Sequence, residues 1–122
     1  MASVLCVDDE VYIQELYQHM LPAGGFEVVA TAYNGKEALA TYTALEPKPD
    51  LVLMDQRMPI KSGVEATREI LAMDPGACVI VISADASARE KAKAAGATAF
   101  VEKPFVMDDL FRLLRGCLGD GH

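Results

Sequence analysis

Short apolar runs rich in β-branched residues alternate with stretches of helical periodicity along the whole chain, and this alternation restricts the fold more than any other feature. The apolar runs are Ser3–Val7, Glu27–Ala32, Leu51–Met54, Cys78–Ile82 and Ala99–Val101. Four of the five are almost uninterrupted, as expected of strands in a parallel sheet that helices cover on both faces. The pattern therefore predicts five consecutive β/α repeats.

Helical spacing and helix-end signals fill the segments between these runs. Two sets of apolar residues predict buried helix faces: Ile13, Leu16, Tyr17, Met20 and Leu21, and then Met107, Leu110, Phe111, Leu114 and Leu118. Three residue pairs have the spacing of a capping box at a helix start: Asn34 with Glu37, Ser62 with Glu65, and Ser87 with Glu90. Three residues predict where helices end: Pro22, Pro75 and Gly96.

Strands and helices that alternate with short connections require right-handed crossovers, which give a parallel sheet between two layers of helices. For 122 residues we predict a flavodoxin-like (βα)5 three-layer sandwich, an α/β fold with strand order 2-1-3-4-5. The domain is expected to span residues 1–118, with residues 119–122 as a disordered tail. The segment Ala86–Ala95 contains alanines and charges but no large apolar side chain, so we expect a loosely held helix there.

Charge and hydropathy exclude several classes of function. The chain has 11 Lys and Arg residues against 18 Asp and Glu residues, a net charge of −7, and no basic cluster. Such a chain would repel nucleic acid, so no direct nucleic-acid binding is expected. No stretch approaches the roughly 20 apolar residues of a membrane span, and no targeting peptide is recognisable, which predicts no membrane association and a cytoplasmic location. The three cysteines fit neither a disulfide framework nor a zinc ribbon.

Polar side chains follow four of the five predicted strands. Asp8 and Asp9 follow the first strand, Asp55 the third, Ser83 the fourth and Lys103 the fifth. In the predicted strand order, the crevice beyond the carboxyl ends lies between the first and third strands. Carboxylates crowded there need a cation, and Mg²⁺ prefers such oxygen ligands. A phosphoryl group would meet the metal, the ammonium and the hydroxyl, and a free carboxylate is a nucleophile, so the residues predict a metal-assisted phosphoryl-binding site.

These residues lie in segments that resemble the receiver domain of two-component response regulators. The segments are Val7-Asp8-Asp9-Glu10, Leu53-Met54-Asp55 with Met58-Pro59 and Gly63, Ile82-Ser83-Ala84, Gly96-Ala97, and Phe100-Val101-Glu102-Lys103-Pro104-Phe105. The resemblance covers almost the whole chain, with the motifs in the family's order and spacing. It implies two-component signal transduction, in which a sensor histidine kinase or a histidine phosphotransfer protein donates a phosphoryl group from a phosphohistidine.

The resemblance also implies roles for individual residues of the site. Asp55 would be the phospho-acceptor, and Lys103 would pair with the incoming phosphoryl oxygens. The carboxylates of Asp9 and Asp55 and the backbone carbonyl of Arg57 would ligate Mg²⁺, with Mn²⁺ as an alternative ion. Asp8 would act mostly through a bound water. The domain would catalyse its own phosphorylation and slow autodephosphorylation, and it is not expected to be an enzyme in any other sense.

A conformational switch is the output that the resemblance implies. Ser83 would hydrogen-bond to the acyl phosphate and shift toward it, while Phe100 moves between outward and inward rotamers. We expect the helix at Ala86–Ala95, the fifth strand and the last helix to form the output face. That face would meet a downstream protein target, or an effector domain if the chain is cut from a longer regulator.

At the rim of the phosphoryl site we hypothesise an ion pair between Arg57 and Asp85 that slows loss of the phosphate.

Other interpretations of the same residues remain open from the sequence alone. Each residue taken singly has an ordinary explanation: an acidic pair or Ser83 capping a helix, Asp55 in a turn, Lys103 on the surface. A flavin-binding electron carrier shares the strand order, but the acidic first loop would repel its phosphate. An aspartyl phosphatase would need a cap for which 122 residues leave no room. A receiver-like module that no longer accepts phosphate is disfavoured by the intact acidic, hydroxyl and lysine set.

Overall fold

The computed structural model describes residues 1–119, and the predicted alternation runs through all of them. The strands are β1 (Ala2–Val7), β2 (Phe26–Ala32), β3 (Leu51–Asp55), β4 (Val79–Ser83) and β5 (Ala99–Glu102). The helices are α1 (Val11–Ala23), α2 (Gly35–Ala44), α3 (Gly63–Met73), α4 (Ala88–Ala94) and α5 (Met107–Gly119). Within this part of the chain, no helix has the length and apolar character needed to cross a membrane. Of the predicted tail, Gly119 belongs to α5, and residues 120–122 lie outside the described residues.

The five strands form one parallel sheet in the order β2-β1-β3-β4-β5, which confirms the predicted flavodoxin-like topology. β1 and β3 are direct neighbours, with Cys6 beside Leu53 and Val7 beside Met54. Because both strands run in the same direction, they end at the same edge of the sheet. This pairing brings the residues that follow β1 next to Asp55, the last residue of β3.

Hydrophobic cores lie on both faces of the sheet. On one face, α2, α3 and α4 pack against strand residues such as Leu5 and Val7. On the other, α1 and α5 pack against Val4 and Cys6. Every residue of β3 and β4 is buried, which explains why these segments are continuous apolar runs in the sequence. The double burial makes the sheet a rigid base for the loops at its carboxyl edge.

The helix ends agree with the predicted signals at most positions and differ at two. Ser62 forms a complete capping box with Glu65 at the start of α3. The capping box predicted at Ser87 is wrong, because the carboxylate of Asp85 accepts both its N–H, at 2.9 Å, and its hydroxyl, at 2.7 Å. Pro22 lies inside the last turn of α1 and does not end the helix, which continues to Ala23.

Candidate functional site

Three carboxylates meet where β1 and β3 end. One oxygen from each of Asp8, Asp9 and Asp55 lies within 4.8 Å of the others. Asp8 and Asp55 are buried, whereas Asp9 is exposed to solvent. The expectation that the acids following the first and third strands share one neighbourhood is confirmed. Hard oxygen ligands at this spacing suit a divalent cation such as Mg²⁺.

Asp8 is the most enclosed member of this acidic cluster, with 1% of its surface exposed. Its Oδ1 accepts a hydrogen bond from the N–H of Glu10 at 2.9 Å, while its Oδ2 is buried without a hydrogen-bond partner. Burial raises the pKa of Asp8 to about 6; the hydrogen bond from Glu10 opposes the rise and the charge of Asp55 adds to it. An unpartnered, buried carboxylate oxygen beside two further acids fits a site that a cation stabilises.

Lys103 faces the acidic cluster from the end of β5. Its Nζ lies 2.9 Å from Oδ1 of Asp55. Burial raises the pKa of Asp55, and the hydrogen bond from Lys103 acts against that rise. Burial tends to lower the pKa of Lys103, but the hydrogen bond to Asp55 and the nearby acids outweigh burial, and the pKa lies above its usual value. One ammonium therefore faces three carboxylates, and the cluster keeps an excess of negative charge.

An open cavity of about 790 Å³ connects the acidic cluster with the ends of β4 and β5. Six of the predicted site residues line it: Asp9, Asp55, Arg57, Ser83, Asp85 and Lys103. Ser83 is buried, and its hydroxyl oxygen accepts the N–H of Asp85 at 3.0 Å. The cavity thus presents a carboxylate, an ammonium and a hydroxyl to one ligand, which suits the electrostatic demands of phosphoryl chemistry.

The rim of the cavity differs from the prediction. Both Arg57 and Asp85 line the cavity, but none of the ion pairs within residues 1–119 joins them. The Asp85 carboxylate binds Ser87 instead, and the two hydrogen bonds from Ser87 hold the pKa of Asp85 below its usual value, with a smaller contribution from the charge of Arg57. The predicted ion pair is therefore wrong: a local turn contact has replaced it.

Phe100 does not line the cavity. It lies half-buried on β5 against the core that packs α2, α3 and α4. The guanidinium carbon of Arg89 lies 4.8 Å from the centre of its ring, and the same guanidinium approaches the carboxylate of Glu102 to 4.0 Å. Arg89 therefore links α4 to β5 directly over the aromatic ring that is predicted to change rotamer.

Two further residues shape the site, and the sequence pattern predicted a structural role for neither. Gln14 is buried on the face of α1 where the apolar pattern placed Leu16, and Leu16 is 44% exposed. Gln14 stands three residues before the buried Tyr17, and a polar residue at that spacing was the available signal. At Gly63, an added Cβ would lie 2.2 Å from the carbonyl oxygen of Asp55. Gly63 belongs to the motif that carried the resemblance, but its contact is visible only in three dimensions.

The family of this chain follows from its similarity to known proteins. The model of the response regulator receiver domain matches residues 4–115. The chain belongs to this family. Over 105 residues, this receiver domain is 42% identical to the chemotaxis protein CheY of Thermotoga maritima, and the match covers 84% of this chain and 85% of that protein.

Solved structures of similar proteins agree with the family assignment. The response regulator TrrA of Thermotoga maritima, in complex with Mg²⁺ and BeF, has a TM-score of 0.86 at 34% identity, covering 96% of this chain and 99% of that one. The CheX–CheY–BeF3–Mg²⁺ complex of Borrelia burgdorferi has a TM-score of 0.90 at 28% identity, covering 96% and 89%. This chain is a receiver domain of two-component systems, a phospho-accepting signalling switch, and its acidic cluster fits Mg²⁺-dependent phosphoryl acceptance.

Proposed function

We propose that Asp55 accepts a phosphoryl group from a phosphohistidine of a sensor histidine kinase or of a histidine phosphotransfer protein. The observation that carries this proposal is the acidic cluster, with its three oxygens within 4.8 Å, facing Lys103 at 2.9 Å from Asp55. The carboxylates of Asp9 and Asp55 and the backbone carbonyl of Arg57 would hold the metal, and Asp8 would act through a water. When bound, Mg²⁺ or Mn²⁺ supplies positive charge that offsets the charge of the phosphoryl oxygens.

The transfer replaces one bond at phosphorus by another. A carboxylate oxygen of Asp55 forms a bond to phosphorus, and the P–N bond to the donor histidine breaks. The histidine nitrogen keeps the electron pair of that bond and takes up a proton, while Asp55 becomes an acyl phosphate. Lys103 then shifts its hydrogen bond from the carboxylate to the phosphoryl oxygens, and the hydroxyl of Ser83 donates to another of these oxygens.

The same cavity supports slow autodephosphorylation. Water attacks phosphorus, the P–O bond to Asp55 breaks, and the products are the free carboxylate and inorganic phosphate. Arg57 and Asp85 line the cavity by which water arrives, but they do not form a pair that would shield it. The domain therefore catalyses reactions of its own side chain.

We infer that the output face consists of α4, β5 and α5. The hydroxyl of Ser83 accepts from Asp85 at the segment that leads into α4, so a shift of Ser83 toward the acyl phosphate alters that hydrogen bond. Phe100 on the neighbouring strand then exchanges between its outward and inward rotamers. A downstream protein target, or an effector domain carried elsewhere, would recognise the changed face. A cytoplasmic location, the absence of nucleic-acid contact and a single domain over residues 1–118 stay predictions.

The central proposal is tested with a small phosphoryl donor. The protein is incubated with acetyl phosphate and Mg²⁺, and its intact mass is measured. We expect a gain of one phosphoryl group in the wild type and in Asp108→Asn, which changes an exposed aspartate at the start of α5, and no gain in Asp55→Asn. A wild type without the gain, or labelled Asp55→Asn, would contradict the proposal.

A further inference from the structure

We propose that Gln14 is a positioning residue of the acidic cluster, which fixes the end of β1 from which Asp8 and Asp9 extend. The inference rests on the proposed Mg²⁺-dependent function and adds to it a side chain that is not itself a ligand. Gln14 is 1% exposed and lies on the face of α1 that packs on the sheet. It is therefore close enough to act on the backbone of β1 and remote from solvent.

The side-chain amide of Gln14 joins the ends of two strands. Its Nε2 donates to the backbone carbonyls of Cys6 at 3.1 Å and Asp8 at 3.1 Å, both on or directly after β1, and of Ala32 at 2.9 Å, the last residue of β2. The amide has only two protons for these three acceptors, so the bonds must be shared. Three carbonyls converging on one nitrogen determine that the nitrogen, not the oxygen, faces the strand ends.

The amide oxygen of Gln14 indicates that a glutamine stands at this position for its N–H donors. Oε1 of Gln14 is buried and has no hydrogen-bond partner. Burial of an unpartnered amide oxygen is unfavourable, and an apolar side chain of similar size would avoid that cost. The fold retains the polar residue although half of it is unsatisfied, which is consistent with a requirement for the N–H groups.

Only a few covalent bonds separate the backbone carbonyl that Gln14 binds from the carboxylates of Asp8 and Asp9. Gln14 Nε2 donates to the carbonyl oxygen of Asp8, and the N–H of Asp8 donates to the carbonyl oxygen of Ala32 at 3.1 Å. Asp9 is the next residue along the chain. Asp55 belongs to β3, and within residues 1–119 Gln14 makes no hydrogen bond to that strand. A displacement of the β1 end therefore moves two of the three carboxylates relative to the third. Groups that orient metal ligands in this way typically change metal affinity by about 10- to 100-fold when removed.

The test replaces Gln14 by methionine, which has a similar shape and no donor. Gln18→Met is the matched control, because Gln18 is exposed one turn later on the same helix. Mg²⁺ binding is measured calorimetrically on unphosphorylated protein, at a temperature where circular dichroism shows every variant folded. We expect the Kd for Mg²⁺ to rise about tenfold or more in Gln14→Met and to stay unchanged in Gln18→Met. In metal-free protein, the amide of Asp8 should exchange faster with solvent deuterium in Gln14→Met only.

The outcomes separate this inference from the proposed function. If the wild type binds Mg²⁺ and Gln14→Met binds it with the same Kd, the inference is overturned, whatever happens to thermal stability. If the wild type itself binds no Mg²⁺, the proposed function fails, and unchanged exchange at Asp8 in metal-free Gln14→Met overturns the inference separately. Should Gln14→Met not fold, Gln14→Asn, which withdraws the amide from the carbonyls by one methylene, is judged by the same criteria.

Discussion

At the scale of single residues, Asp8 shows how burial of one charge creates a pH dependence. Burial raises the pKa of Asp8 to about 6, whereas an unfolded aspartate titrates near about 3.9. Between these values the folded protein binds more protons than the unfolded chain, so the free energy of unfolding falls as pH rises. Above about pH 6 the full cost of the buried charge is present; below about pH 4 it is absent.

Asp8→Asn is expected to remove this pH dependence. The asparagine keeps an oxygen to accept the N–H of Glu10 but carries no charge. In metal-free protein, urea unfolding should show Asp8→Asn to be more stable than the wild type at pH 7.5 and equally stable at pH 4. Asp108→Asn, at an exposed position, serves as the control for loss of a carboxylate. An equal gain at both pH values would assign the effect to packing and contradict the electrostatic argument.

Gly63 lies against the backbone at the end of β3, where a larger residue would clash. A Cβ there would lie 2.2 Å from the carbonyl oxygen of Asp55 and 2.9 Å from Cα of Gln56, both backbone atoms that a side-chain rotation cannot move. We expect Gly63→Ala to lower the free energy of unfolding by about 1–3 kcal/mol and to slow labelling of Asp55 by acetyl phosphate. Gly116→Ala on α5, where nothing lies within 4 Å of the added Cβ, should instead be neutral or stabilising by about 0.5–1 kcal/mol. Denaturant titration of both variants decides the matter, and a neutral Gly63→Ala would refute the expected clash.

At the scale of elements, α4 is a helix that buries little apolar surface against the rest of the domain. It is seven residues long, and its buried side chains are those of Ala88 and Ala92. Because an alanine side chain has little apolar surface to bury, packing stabilises α4 less than it stabilises helices that bury leucine. We expect native-state hydrogen exchange to be faster in α4 than in β1, β3 and β4. Equal protection would show that α4 is anchored by other means.

Arg89 adds a contact between α4 and β5 to this small buried apolar surface. Its guanidinium lies over the ring of Phe100 on β5, at 4.8 Å, and its side chain is half exposed. We expect Arg89→Met to increase exchange in α4 and β5 of the unphosphorylated protein, while overall stability falls by less than about 1 kcal/mol, as for exposed contacts of this kind. Lys93→Met, an exposed charge on the same helix, should change neither.

A fluorescence measurement gives an independent reading of the same contact. The chain has no tryptophan, so Phe100→Trp introduces a single probe at the ring itself. If Arg89 holds the ring against β5, combining Arg89→Met with Phe100→Trp should shift the emission of the probe to longer wavelength. Unchanged emission together with unchanged exchange would show that Arg89 does not restrain the ring.

The order of elements could be predicted from the sequence, but several contacts between elements could not. Strands buried on both faces leave continuous apolar runs, and the predicted strand order fixed the edge at which Asp55 would lie. The buried face of α1 is rotated so that Gln14, and not Leu16, meets the sheet, where its amide donates to carbonyls at the ends of β1 and β2. Asp85 has Ser87 within its own turn, and this local partner displaced the longer-range pair that charge alone suggested. Which of two possible partners a side chain binds depends on three-dimensional geometry, and residue spacing in the sequence does not contain that information.

At the scale of the whole molecule, the sheet order connects Asp55, the proposed acceptor, to the proposed output face. Asp55 ends β3, β4 lies beside it, and β5 lies beside β4. Ser83 ends β4, and Lys103 directly follows β5. Each group that would touch a phosphoryl group on Asp55 is therefore anchored to a different strand. We therefore expect a covalent change at the middle of the sheet to reach its β5 edge through the side chains at one end of the strands.

The charge of the whole molecule bears on how a metal would stabilise it. The net charge is −7, so any salt relieves part of the self-repulsion, and a specific site must be distinguished from this general screening. A cation that binds only the folded state adds about 2.7 kcal/mol to the free energy of unfolding at 100 times its Kd. We expect MgCl₂ to raise the thermal midpoint of the wild type above that in NaCl of equal ionic strength, and Asp9→Asn to lose this difference. Equal midpoints in the two salts for the wild type would show that screening alone acts and that the acidic cluster holds no ion.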